Sequence, residues 1–120
     1  MLRTALLLSL LSTPALAFQA RNDAQVDGRA DQIIVASRPG LASSESWCAA
    51  GDFVIRGLGM ASTTPVYRLT PPPRRAGESV EFSLSPAGAT DRLGLVRFGG
   101  TADQISAGHA QALCRIGRWK

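Results

Sequence analysis

The sequence predicts an α+β domain, a small antiparallel sheet with two helices on one face joined by a disulfide, and three observations carry that expectation. Trp47, Cys48, Gly51, Val54, Ile55 and Leu58 fall on one broad apolar stripe of a helix with 3.6 residues per turn. Glu78 to Ser85 alternates with a period of 2, which sends Val80, Phe82 and Leu84 inward and leaves Glu81, Ser83 and Ser85 wet. The chain has 2 cysteines, Cys48 and Cys114, each on or beside an apolar helical face, so a bridge between them would staple the two helices together.

The first residues read as an address rather than as structure. Met1-Leu2-Arg3 is a short positive stretch, Ala5 to Leu11 is nearly all apolar, and Ala15-Leu16-Ala17 offers the small residues that a signal peptidase accepts. Residues 1–17 are therefore expected to be a signal peptide cut between Ala17 and Phe18, leaving 18–120 as a single small domain. The apolar run is far shorter than the roughly 20 residues of a membrane-spanning helix, so no span is expected after leader cleavage. The compartment is then periplasmic or secreted, where two cysteines pair. Closing so long a loop is worth about 4 kcal/mol in the chain-entropy account. Total domain stabilities run about 5 to 15 kcal/mol, so that is a large share.

Taken in order, Phe18 to Arg21 is expected to fray, Asn22 to Val26 to form a weak strand, and Asp27-Gly28 to turn. The β-branched Gln32 to Ala36 makes a second strand and a hairpin with the first, ended by Arg38-Pro39-Gly40. The first helix runs over 46–59, capped by Ser44 or Ser46 and stopped at Gly59. Val66 to Thr70 is a strand, and Pro71 to Gly77, with three prolines lacking backbone donors, is a projecting loop. Glu78 to Ser85 and Leu93 to Phe98 then pair antiparallel. Thr101 and Gln104 have the spacing of a capping box, so the last helix starts there, with Asp103 in its first turn. Ile105, His109, Ala112, Leu113 and Ile116 mark its inner face, and Arg115, Arg118 and Lys120 crowd its negative end.

The formal charge is +4, and of the 13 basic side chains only Lys120 is lysine. Arg74-Arg75 and the tail aside, the charges alternate with acids. No basic stripe interleaved with aromatics appears, so no nucleic-acid partner is expected. The chemistry-bearing patterns are thin as well. His109 is the 1 histidine, without the spacing of a zinc site, and reads as half-buried and bonded to a neighbour. Gly57-Leu58-Gly59 and Phe98-Gly99-Gly100 lack the full spacing of phosphate-binding loops, and no G-x-S-x-G elbow is present. Glu45 and Asp52, seven apart, read as solvated charges on the helix face, and Trp47 reads as core rather than as a platform for a sugar. No catalytic, cofactor-binding or metal-binding residue is assigned, and no cofactor is expected.

The leader, the box Trp47-Cys48-Ala49-Ala50-Gly51-Asp52 and the closing run Ala107-Gly108-His109-Ala110-Gln111-Ala112-Leu113-Cys114 resemble a group of small exported alphaproteobacterial proteins of unknown function. That resemblance implies the compartment and the pairing of the cysteines, and it transfers no activity. The expected function is a non-catalytic binding or interaction module of the cell envelope, its partner an unidentified protein or envelope component. The alternative is a small secreted enzyme or enzyme inhibitor with a site near His109.

Overall fold

The computed structural model describes residues 18–95 and 104–115. In that part the chain is a two-layer α+β domain: a six-stranded antiparallel sheet, two helices packed against each other over it, and a bridge between them. The strands are β1 (Phe18–Gln19), β2 (Gln25–Arg29), β3 (Gln32–Val35), β4 (Pro65–Arg68), β5 (Val80–Ser83) and β6 (Gln104–Ser106), and the sheet order is β1-β2-β3-β5-β4-β6. The helices are α1 (Ser43–Asp52) and α2 (Ala107–Ala112).

The hairpin is present, though its turn sits further on than Asp27-Gly28. Gly28 pairs with Ile33 and Arg29 with Gln32, so the chain reverses at Ala30 and Asp31. Gly28 holds φ +111°, and a Cβ there would collide with the Gln32 carbonyl oxygen, so that strand position takes only glycine. Phe18 does not fray. Phe18 and Gln19 pair with Val26 and Gln25, and the Phe18 ring packs edge-on against Phe53 with centroids 5.5 Å apart.

The first helix begins earlier than the stripe implies. Ala42 is its N-cap and makes no side-chain bond, while the Ser46 hydroxyl donates back to the Ala42 carbonyl at 3.2 Å instead of capping. After Asp52 the chain continues as a wider π-turn over Phe53–Gly57, with the Leu58 N–H donating to the Phe53 carbonyl. Gly59, at φ +70°, then ends it in the left-handed conformation expected of it. Of the stripe, Trp47, Cys48, Gly51 and Val54 are buried while Ile55 and Leu58 are partly covered, and Ala49 and Ala50, off the stripe, are buried as well. Trp47 lies edge-on against Phe82 of β5, centroids 4.7 Å apart.

Val80 and Phe82 point into the core as the alternation demands. Ser83 is buried as well, and its hydroxyl accepts the Ser85 N–H at 3.0 Å, which replaces the water it was expected to meet. The partners of β5 are β3 and β4. Leu93 to Leu95 is not a strand. Leu93 is buried and its carbonyl accepts the Trp47 indole N–H at 2.8 Å and the Arg68 guanidinium at 3.2 Å, so the segment is pinned across the sheet end by side chains rather than by a ladder. Residues 96–98 of that expected strand lie outside the described residues.

The capping box is overturned. Gln104, Ile105 and Ser106 pair with Tyr67, Val66 and Pro65 as β6, and the helix begins only at Ala107, capped by the Ser106 hydroxyl, which accepts the His109 N–H at 3.1 Å. Burial of Ile105 against β4 outweighs a local cap signal whose benefit is about 1 kcal/mol. Starting the helix later also rotates its inner face: Ala107 and Ala110 are buried, and His109 and Ala112 are exposed. Thr101, Asp103, Ile116, Arg118 and Lys120 lie outside the described residues, as does Ala17 of the expected cleavage site.

The loop after β4 does not project freely. Arg74 reaches from it to the Arg38 carbonyl at 2.8 Å, the Leu41 carbonyl at 3.2 Å and the Ser37 hydroxyl at 3.1 Å, which ties it to the entry of α1.

Candidate functional site

The two helices meet without large side chains between them. A Cβ on Gly51 would fall 2.6 Å from the Ala110 Cβ and 2.7 Å from both the Ala107 carbonyl oxygen and the Gln111 nitrogen, so glycine is what lets the two backbones touch. Three residues before Gly51, Cys48 bonds to Cys114 with the Cα atoms 4.8 Å apart, which meets the geometric demand of a bridge and clamps the helices at that approach.

Beside this contact sits Asp52, fully buried rather than solvated. A buried carboxylate persists only if donors replace its water. The Arg21 backbone N–H donates to Oδ2 at 3.0 Å, and Arg56 Nε at 2.9 Å and Gln111 Nε2 at 3.0 Å donate to Oδ1. The Arg21 Nε stands 3.5 Å from the same oxygen. One carboxylate thus joins the segment after β1, the end of α1 and α2. The Asp52 to Arg56 spacing of four, acid first, was the visible sequence signal for this pair.

Glu45, two turns earlier, is half-buried and pairs with Arg38 at 3.2 Å. Arg38 also donates to the Asn22 carbonyl at 2.9 Å, and the Asn22 amide donates to the Glu45 carbonyl at 2.9 Å. These groups frame a cleft of about 580 Å³ along the seam between α1 and α2, lined among others by Arg21, Arg38, Glu45, Gln111, Leu113 and Arg115, with Cys48 and Cys114 in its wall. Glu45 and Asp52 therefore do meet one place in the fold, Glu45 at the cleft and Asp52 behind it.

His109 is exposed, its side chain makes no hydrogen bond among the described residues, and it does not line the cleft, although Gly108 does. The half-buried, bonded histidine expected from the helix face is corrected by the shorter helix. Among the described residues no group of three or more His, Cys, Asp or Glu side chains is placed to hold a metal ion.

A second polar centre lies under the other end of α1. Arg68 of β4 is buried and donates to the Thr70 carbonyl at 2.7 Å, the Ser43 hydroxyl at 3.2 Å and the Leu93 carbonyl. Desolvation pushes its pKa down from the ordinary arginine value, and the charge of Glu78 pulls it up in part. Its contacts are all structural oxygens of the fold, so it acts as a pin between β4, α1 and the 90–95 segment. Sequence reasoning passed over Arg68 because nothing in a lone arginine on a strand announces burial. Comparison of the chain with protein-family models, with curated proteins and with solved structures finds no match.

Proposed function

We propose that the chain is an exported, non-catalytic binding module of the cell envelope, belonging with the exported alphaproteobacterial proteins that it resembles, and that its ligand seats in the cleft between α1 and α2. The observation that carries this reading is the cleft. Its volume of about 580 Å³ suits a small molecule or a protruding group of a larger envelope component. Its walls are held by the bridge, by the Gly51 contact and by Asp52, so the site is formed before a ligand arrives. The bridge itself favours an oxidising compartment, and no helix among the described residues is long and apolar enough to cross a membrane. In this reading residues 1–17 are removed and the working chain begins at Phe18.

Two measurements test it. Intact mass of the exported protein should correspond to a chain starting at Phe18, and a mass that keeps residues 1–17 refutes the export step. An NMR screen of small envelope-type compounds against the oxidised protein should shift the amides of Gln111, Ala112 and Leu113, unchanged in His109→Gln. Ligand shifts centred on His109 and abolished by that substitution would refute the cleft in favour of a site at the histidine.

A further inference from the structure

We infer that the cleft is an oxyanion site, recognising the carboxylate or phosphate of a small organic molecule whose uncharged body lies on the disulfide wall. The inference rests on the binding role proposed above and adds the chemical class of the ligand. The charge balance at the seam is its first support. Arg21, Arg38, Arg56 and Arg115 supply four guanidinium groups in and behind the cleft, against the two carboxylates of Glu45 and Asp52. Arg38 is satisfied by Glu45 and the Asn22 carbonyl, and Arg56 by Asp52 at 2.9 Å. The excess of positive charge then falls on Arg21 and Arg115.

The second support is how those two are presented. Arg21 spends its backbone N–H and its Nε on Asp52, and its side chain is still 53% exposed. Its two terminal nitrogens make no hydrogen bond among the described residues, and Arg21 lines the cleft. The ion pair with Asp52 keeps the guanidinium close to the cleft while leaving its terminal donors for a second oxyanion. Arg115 follows Cys114 directly and also lines the cleft, so the bridge fixes where its backbone stands. A forked pair of this kind recognises the two oxygens of a carboxylate or of a phosphate equally well.

The third support is size. A bare phosphate or carboxylate would leave most of about 580 Å³ empty, and beside its polar groups the wall carries the apolar Ala42, Ala112, Leu113 and Cys114. The ligand chemistry that matches both halves is a small organic acid or phosphoester.

The probes are benzoate, phenyl phosphate, inorganic phosphate and the neutral benzyl alcohol, titrated by NMR into the oxidised protein. Benzoate or phenyl phosphate should bind at least tenfold more tightly than benzyl alcohol, with shifts at Gln111 and Leu113, and weaken severalfold as salt rises from about 50 to 500 mM. A preference for phenyl phosphate identifies phosphate as the source of the oxyanion, and a preference for benzoate identifies carboxylate. Arg115→Gln and Arg21→Gln should each cost tenfold or more in affinity, and Arg115→Lys, which keeps the charge without the fork, should restore only part of the loss. Melting temperatures, read alongside, separate lost binding from lost folding, and Arg115→Gln, at an exposed position, keeps the test informative if Arg21→Gln unfolds. Benzyl alcohol binding the cleft as tightly as benzoate overturns the oxyanion assignment and leaves the cleft a binding site. Absence of cleft shifts with all four probes, while other compounds do shift Gln111 and Leu113, overturns it too. No shift with any compound removes the binding role itself.

Discussion

Gly51→Ala probes the seam on which both the fold and the cleft depend. In an open helix the change would stabilise, because alanine exceeds glycine in helix propensity by about 0.8 to 1.0 kcal/mol. Here the new methyl would stand 2.6 Å from the Ala110 Cβ and 2.7 Å from two backbone atoms of α2, where ordinary contact begins at 3.4 Å. Side chains can swing away but the Ala107 carbonyl and the Gln111 nitrogen cannot, so α2 must shift as a body. The Cys48–Cys114 bridge, three residues from Gly51, resists that shift. Overpacking of this kind costs about 1 to 3 kcal/mol, and with a backbone obstacle the upper end applies. Subtracting the propensity gain leaves a net loss of about 2 kcal/mol, or a fall in melting temperature of roughly 8 to 16 °C for a domain of this size. Thermal unfolding of the oxidised wild type and variant measures it. Adding Ala110→Gly should recover only part of the loss, since it clears one of three obstructing atoms. A Gly51→Ala protein that melts at or above the wild type would show that the helices part freely and that the close approach is not a constraint.

Three further outcomes are expected. Reduction should destabilise by about 4 kcal/mol, the loop entropy of a 66-residue separation, and denaturant melts with and without reductant give the value; a loss under 1 kcal/mol contradicts it. Asp52→Asn places an amide N–H where a donor already points, at a cost of about 1 to 3 kcal/mol by urea unfolding; the arginines concerned keep access to water, which holds the figure below that of a sealed ion pair. Arg74→Ala frees the loop of Pro71 to Gly77, so trypsin should cut after Arg75 several times faster while the melting temperature moves little, and an unchanged cutting rate would mean that the Arg74 contacts do not restrain it.

The parts of the fold that were legible are those whose signal is periodic. The stripe from Trp47 to Leu58 and the alternation around Val80 and Phe82 each repeat a burial pattern several times, and the structure buries Trp47, Cys48, Gly51, Val54, Val80 and Phe82, with Ile55 and Leu58 partly covered. Signals confined to one or two residues were open to override. Gln104 had a helical cap pattern and became a strand because Tyr67 offered a pairing partner, and Phe18 and Gln19 form a strand because β2 and Phe53 wait for them. The bridge was legible because two cysteines leave no choice of partner. The cleft was not, since Arg21, Arg38 and Arg115 are far apart in the chain and become neighbours only when α2 docks on α1.

The sheet order has a consequence for the sequence of assembly. The meander β1-β2-β3 closes on itself through near neighbours in the chain, but β5 must enter between β3 and β4, and β6 must then cover the far side of β4. Those pairings span long stretches of chain, and such non-local closure sets a slow pace, with folding times of milliseconds to seconds. A chain delivered N-terminus first can seat β5 between β3 and β4 once Ser83 has emerged, and only the β4–β6 edge waits for residues 104–106. Because α2 follows β6 without a linker, the pairing of Ile105 with Val66 is also what carries Cys114 to Cys48. The bridge thus closes at the end, as a lock on a sheet already in register, and premature oxidation has no second thiol near enough to trap a wrong arrangement.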